Sequence, residues 1–128
     1  MESPRKPLRQ EWLTWADVEK LVDVLLSQLR AAGRFDEMVM ITRGGIVPGG
    51  LLSEALDISS VLIAAVDFPQ ALGHGDKASL FVWPSFLQFP EDDLLADKRI
   101  LIVDDVWGSG RTSTAVKSRC QSAGATAY

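Results

Sequence analysis

The stretch Ile100-Leu101-Ile102-Val103-Asp104-Asp105-Val106-Trp107-Gly108-Ser109-Gly110-Arg111-Thr112 decides the fold. Its first four residues are large and apolar, mostly Ile or Val, the pattern of a strand buried on both faces. Two adjacent carboxylates, Asp104 and Asp105, stand where that strand should end. Gly108-Ser109-Gly110 then makes a turn, and Thr112 to Ala123 is a helix-compatible run. In an open parallel sheet, ligands bind beyond the carboxyl ends of the strands, so chemistry belongs here. The turn offers backbone N–H groups and hydroxyls at a helix N-terminus, which suits a phosphate. The carboxylates just before it suit a sugar diol or a chelated cation. A ribose 5-phosphate derivative carries both kinds of group.

Upstream, Met38 to Thr42 is a short apolar run and the expected first strand. Arg43-Gly44-Gly45 turns the chain, and Pro48 sits where a helix begins, with Leu51, Leu52, Ala55 and Leu56 on its inner side. Ile58 to Val66 is rich in β-branched residues and reads as the next strand. Strand-helix-strand order implies a right-handed crossover and parallel pairing. Thr14 followed by Asp17 is an acidic variant of the capping box. Trp15, Val18, Leu21, Val22, Leu25, Leu26 and Leu29 then recur at helical spacing up to Gly33, and this helix should cover a sheet face. From Asp67 to Asp97 the pattern weakens. Gly73-His74-Gly75-Asp76 is a polar loop tip. Leu80 to Trp83 reads as a short strand ended by Pro84, and Phe86, Leu87, Phe89, Leu94 and Leu95 as a loop or turn of helix packed on the domain. Gly124 stops the last helix, and Ala125 to Tyr128 opens another strand.

Two of these stretches carry a resemblance. Ile100 to Thr112 resembles the signature of the type I phosphoribosyltransferases: hydrophobic strand, Asp-Asp, and a small phosphate loop ending in Thr. Met40-Ile41-Thr42-Arg43-Gly44-Gly45-Ile46-Val47-Pro48-Gly49 is similar to the pyrophosphate loop of the purine-salvage branch, especially the bacterial xanthine-guanine and hypoxanthine enzymes. With the preceding helix, the likeness extends from Leu13 to Ala123. It implies an α/β fold, a three-layer open parallel sheet, with residues 1–12 a mobile tail and 13–128 the core domain. It further implies transfer of a phosphoribosyl group from 5-phosphoribosyl 1-pyrophosphate to a purine-like base. Family members continue into a C-terminal segment that clasps the base with an aromatic ring and a lysine. The sequence shows no counterpart to the completed final strand and that segment, so either the chain is a fragment or base recognition is built differently.

Residue by residue, the resemblance makes Asp104 and Asp105 acceptors for the ribose hydroxyls, with magnesium held directly or through water. Arg43 meets the departing pyrophosphate, aided by Thr42 and the N–H groups of Gly44 and Gly45, and the peptide bond before Arg43 is one that related enzymes hold cis. Val106, Trp107, Gly108, Ser109, Gly110, Arg111 and Thr112 form the phosphate loop, with Trp107 either stacking on a base or packing under the loop and Arg111 directed to solvent or phosphate. Lys77 reaches the pyrophosphate from a loop that closes over the ribose and excludes water. One departure matters. In 6-oxopurine members the position matched by Gly108 is commonly an Asp that exchanges a proton with the base. Donor binding is therefore intact in the sequence while the acid/base help is missing, a loss of about a hundredfold in rate. The alternative function is a non-catalytic relative that binds the donor or a nucleotide as a signal. A dinucleotide loop of the Gly-x-Gly-x-x-Gly kind fails because Ser113 stands at the third glycine and two acids precede the turn.

Bulk properties bound the rest. A chain of 128 residues, 47% hydrophobic and 23% charged, has room for one sizeable core. A net charge of -4 argues against a nucleic-acid surface. The basic N-terminus lacks an apolar secretory core, no run is long enough to span a membrane, and the lone Cys120 fits a reducing cytoplasm as a packed thiol. His74 is the sole histidine, which leaves no ligand set for zinc. Dimers are common in the resembled family, and a homodimer is expected.

Overall fold

The computed structural model describes residues 10–68 and 83–128. Its elements run α1 (Trp15–Ala32), β1 (Glu37–Ile41), α2 (Ile46–Ala55), β2 (Val61–Asp67), β3 (Ser85–Gln88), α3 (Asp92–Leu95), β4 (Arg99–Val103), α4 (Arg111–Ser122) and β5 (Thr126–Ala127). The five strands form one sheet in the order β3-β2-β1-β4-β5. β1 pairs parallel with both β2 and β4, and β4 parallel with β5. Only the edge strand β3 is antiparallel, joined to β2 across a bulge between Ala65 and Val66.

Period-2 alternation sorts the strands between two cores. Met38 and Met40 of β1 and Leu101 and Val103 of β4 face α1 and α2, where they meet Leu26, Leu29 and Leu52. Val39, Ile41 and Ile100 face α4 and pack with Val116 and Cys120. A sheet covered on both sides explains why the central strands are near-continuous apolar runs. Three layers result, as the sequence implies.

Helix starts follow local chemistry. Thr14 caps α1: its hydroxyl accepts from the Asp17 N–H at 3.1 Å, while the Asp17 carboxylate accepts from the Thr14 N–H at 2.8 Å. Gly33, at φ 107°, ends that helix. Three expectations need correction. The first concerns Ser85–Gln88, which is a strand rather than a loop or turn of helix, with Pro84 just before it. Phe86 points into the core beside Phe89, and Leu87 points out at 69% exposure. Such a short edge strand draws its pairing from β2, a contact that local sequence does not show. The second concerns α1, whose inner face is narrower than its apolar face. Val22, Leu26 and Leu29 pack inward, while Trp15, Leu21 and Leu25 stay exposed. The third concerns α2, where Leu52 and Leu56 face the core but Leu51 and Ala55 are exposed. Expectations for the first nine residues, His74, Lys77 and Leu80 to Val82 lie outside the described residues.

Candidate functional site

Two loops leave the carboxyl ends of the adjacent strands β1 and β4 and meet. After β1, the Thr42 N–H donates to the Ala64 carbonyl at 2.9 Å, which holds the loop's first residue to the sheet. The Thr42–Arg43 peptide bond is cis. Gly45 lies so close to the strand ends that a Cβ there would strike the carbonyls of Val103 and Ile41, so only glycine fits. Its N–H donates to the Ile41 carbonyl at 2.8 Å. That corrects the expectation that both glycine N–H groups face a ligand, since only that of Gly44 is unengaged. Arg43 is exposed; its carbonyl accepts from the Ile46 N–H at 3.1 Å, while its guanidinium takes no hydrogen bond or ion pair among the described residues.

After β4, Asp104 is half-buried and Asp105 exposed. The Asp105 carboxylate lies over the α-carbon of Gly44, where a Cβ would otherwise stand. The two loops are thereby one site. The Asp104 carboxylate accepts from the Asp105 N–H at 2.9 Å. Burial pushes the Asp104 pKa above its ordinary value, and the neighbouring Asp105 carboxylate adds to the shift. The pair is thus pre-set to be relieved by donors or a cation.

The phosphate loop follows. Gly110, at φ 76°, is left-handed and leads directly into α4, whose first N–H groups have no intrahelical partner. Asp104, Val106, Gly108, Ser109, Gly110, Arg111, Thr112 and Ser113 enclose a cavity of about 180 Å³, of a size for a phosphoryl group. Arg111 is exposed and borders this cavity, as expected. Its guanidinium stacks on Phe68, 4.5 Å from the ring centre. Nothing lies within 4 Å of where a Gly108 side chain would begin.

Asp104, Val106 and Ser113 also border a second cavity of about 570 Å³, toward β5 and α4. Trp107, 72% exposed, lines it together with Thr114, Lys117, Ser118 and Gln121 of α4. These α4 residues were not singled out from the sequence. The signal was present, because positions 114, 118 and 121, and 113 and 117, fall on neighbouring rows of one helix. It was indistinguishable from an ordinary solvated face.

An open α/β sheet thus brings a carboxylate pair, a phosphate-sized turn and a second glycine loop to adjacent strand ends, at the switch point of the strand order. The phosphoribosyl transferase domain model matches residues 10–126, and the chain belongs to that family. The xanthine-guanine phosphoribosyltransferase of Cereibacter sphaeroides is 34% identical over 87 residues, 67% of this chain and 48% of that protein. The enzyme of the same name from Ruegeria sp. is 35% identical over 87 residues, with the same two coverages, 67% and 48%. The chain therefore spans about half the length of these relatives. Among solved structures, the purine phosphoribosyltransferase of Pyrococcus horikoshii superposes with a TM-score of 0.71 at 29% identity, covering 90% of this chain and 70% of that one.

Proposed function

We propose that this chain transfers the phosphoribosyl group of 5-phosphoribosyl 1-pyrophosphate to a purine-like base, giving a nucleoside monophosphate and pyrophosphate. The observation that carries the reading is the seat of the Asp105 carboxylate on Gly44, which joins the ribose-holding pair to the pyrophosphate-side loop. The 5-phosphate enters the 180 Å³ cavity, where the Ser109 and Thr112 hydroxyls and the α4 N-terminus supply donors. The ribose hydroxyls donate to Asp104 and Asp105. Arg43 and the Gly44 N–H meet the pyrophosphate, and Thr42 anchors their loop to β2. The bond from the anomeric carbon to the pyrophosphate oxygen breaks with its electron pair leaving on oxygen. A base nitrogen then supplies the pair for the new bond, and the N–H proton of the base passes to water or to the departing pyrophosphate. Holding the sugar while neutralising the leaving group is the work these residues do.

Magnesium fits this donor set. Among the described residues no group of three or more ligating side chains gathers, and at this site the donors are the Asp104–Asp105 pair. Magnesium characteristically takes one or two carboxylates and completes its shell with water and substrate phosphates. Bound there, it would add positive charge against the developing pyrophosphate.

The acidic balance and the absence, among the described residues, of any helix able to cross a membrane support a small-molecule enzyme of the cytoplasm. Apolar residues exposed on α1 (Trp15, Leu21, Val24) and α2 (Ile46, Val47, Leu51) support a homodimer built on that face. The test of function is pyrophosphate release from the donor with magnesium, over a panel of bases, alongside a calorimetric donor titration. Release with at least one base is the expected result. Donor binding with no release on any base would overturn catalysis in favour of a sensor.

A further inference from the structure

Arg111 borders the 180 Å³ phosphate cavity and also a neighbouring cavity of about 420 Å³, which Phe68, just after β2, and Pro84, just before β3, help to line. We infer that Phe68 is a positioning residue for the 5-phosphate: its ring holds the Arg111 guanidinium at the rim of the phosphate cavity with the N–H edge free to donate. This rests on the proposed function, which puts the 5-phosphate there.

Arg111 stands where a helix does not favour a cation. It is the first residue of α4, at the positive end of the helix dipole, and no acidic residue in the first turn offsets it. Gly110 before it makes no side-chain cap. An anion seated at that end relieves both the uncapped N–H groups and the added positive charge. Outside the helix, Arg111 donates through its backbone N–H to Ser109 Oγ at 3.4 Å. Among the described residues its guanidinium has no hydrogen bond or ion pair, and what it touches is the Phe68 ring, 4.5 Å from guanidinium carbon to ring centre.

That contact leaves the donors unspent. A guanidinium is planar: stacking uses its face, while the N–H groups lie in the plane around its edge. Held on a ring by the face, it keeps the edge for a bidentate grip on phosphoryl oxygens. An exposed arginine with no such support gives up rotamer freedom when it binds. Phe68 takes up part of that loss in advance, because the ring is itself fixed. It is half-buried at the end of β2, and Leu62 and Val66 of that strand pack against the core cluster that holds Val116 of α4. The stack thus joins the sheet to the first residue of the helix that receives the phosphate.

Calorimetric titration of the full chain with 5-phosphoribosyl 1-pyrophosphate and magnesium tests this. Phe68→Leu keeps apolar bulk and removes the π face, and should weaken binding about threefold to fivefold, while Phe68→Tyr should bind as the parent does. Arg111→Gln should weaken binding about tenfold or more. In the Arg111→Gln background Phe68→Leu should have no further effect, because the group it acts through is gone. Melting temperatures matching the parent exclude misfolding, and Phe68→Met replaces the leucine variant if that one melts early. A loss of the same size in both backgrounds means that Phe68 serves the fold and not Arg111, and overturns the inference. Unchanged or tighter binding by Phe68→Leu overturns it too, and leaves the proposed reaction standing. A non-additive cycle with no pyrophosphate release on any base removes the reaction and leaves the positioning role in place. No donor binding by the parent overturns both.

Discussion

Gly108 is the residue where this chain most clearly departs from the 6-oxopurine pattern its loop resembles. A side chain there meets nothing within 4 Å, and its φ is not positive. Gly108→Asp is therefore expected to fold normally and to raise kcat by about tenfold to a hundredfold, by returning an acid to the base's side of the loop. Steady-state kinetics at saturating donor would check it; no gain with a well-folded variant would count against the proton-transfer reading. The carboxylate pair makes a second test. Because the folded-state pKa of Asp104 is raised, its contribution to stability is greatest below the unfolded value near 3.8. That contribution is lost as pH rises through the folded value, so the ionised pair is a burden at pH 7. Asp104→Asn should melt at or above the parent temperature at pH 7, and the difference should close near pH 3. Asp105→Asn should abolish donor binding without loss of stability. Calorimetry covers both, and a marked drop in melting temperature with donor affinity intact would contradict the assignment.

At the scale of elements, α2 and the loop before it depend on how closely backbone approaches backbone. A Cβ at Gly45 would meet the carbonyls of Val103 and Ile41, groups that cannot swing aside. Gly45→Ala should cost about 1–3 kcal/mol and pull the two loops apart. Gly50, inside the same helix with nothing within 4 Å, is the control. Gly50→Ala should add about 0.5–1 kcal/mol through helix propensity and a less free unfolded chain. Denaturant melts of the two variants give the comparison, and equal shifts in the same direction would refute it. The chemistry of α1's ends, β1, β4 and α4 was legible in the sequence because caps, glycines and buried-strand runs are local signals. Ser85–Gln88 was not legible, since its strand state comes from pairing with β2.

For the whole molecule, the apolar residues that α1 turns outward are as informative as those it buries. Leu21, Val24 and Leu25 continue the helical spacing of a core face yet remain exposed, as do Ile46 and Val47 on the neighbouring α2. Sedimentation should find a dimer at micromolar concentration, and Leu21→Glu with Val24→Glu should shift it to monomer with the fold retained. A parent that stays monomeric would refute the proposed homodimer. Cys120 belongs to this scale too. It is fully buried among Val116 and the sheet residues, and burial raises its thiol to about 11, so it serves packing rather than chemistry.

By itself the sequence determined the strands on either side of the site, the turns that end them, and the residue types proposed to grip a phosphorylated sugar. Those depend on interactions between near neighbours in the chain. Only the tertiary structure decided that Asp105 rests on Gly44, that Arg111 lies on Phe68 and that Lys117 shares a cavity with Trp107. The first two contacts join residues brought together by sheet order. The third joins a loop to a helix face whose orientation is set by burial of Val116 and Cys120 on its opposite side. No local pattern encodes such meetings, because they follow from which elements the folded sheet makes adjacent.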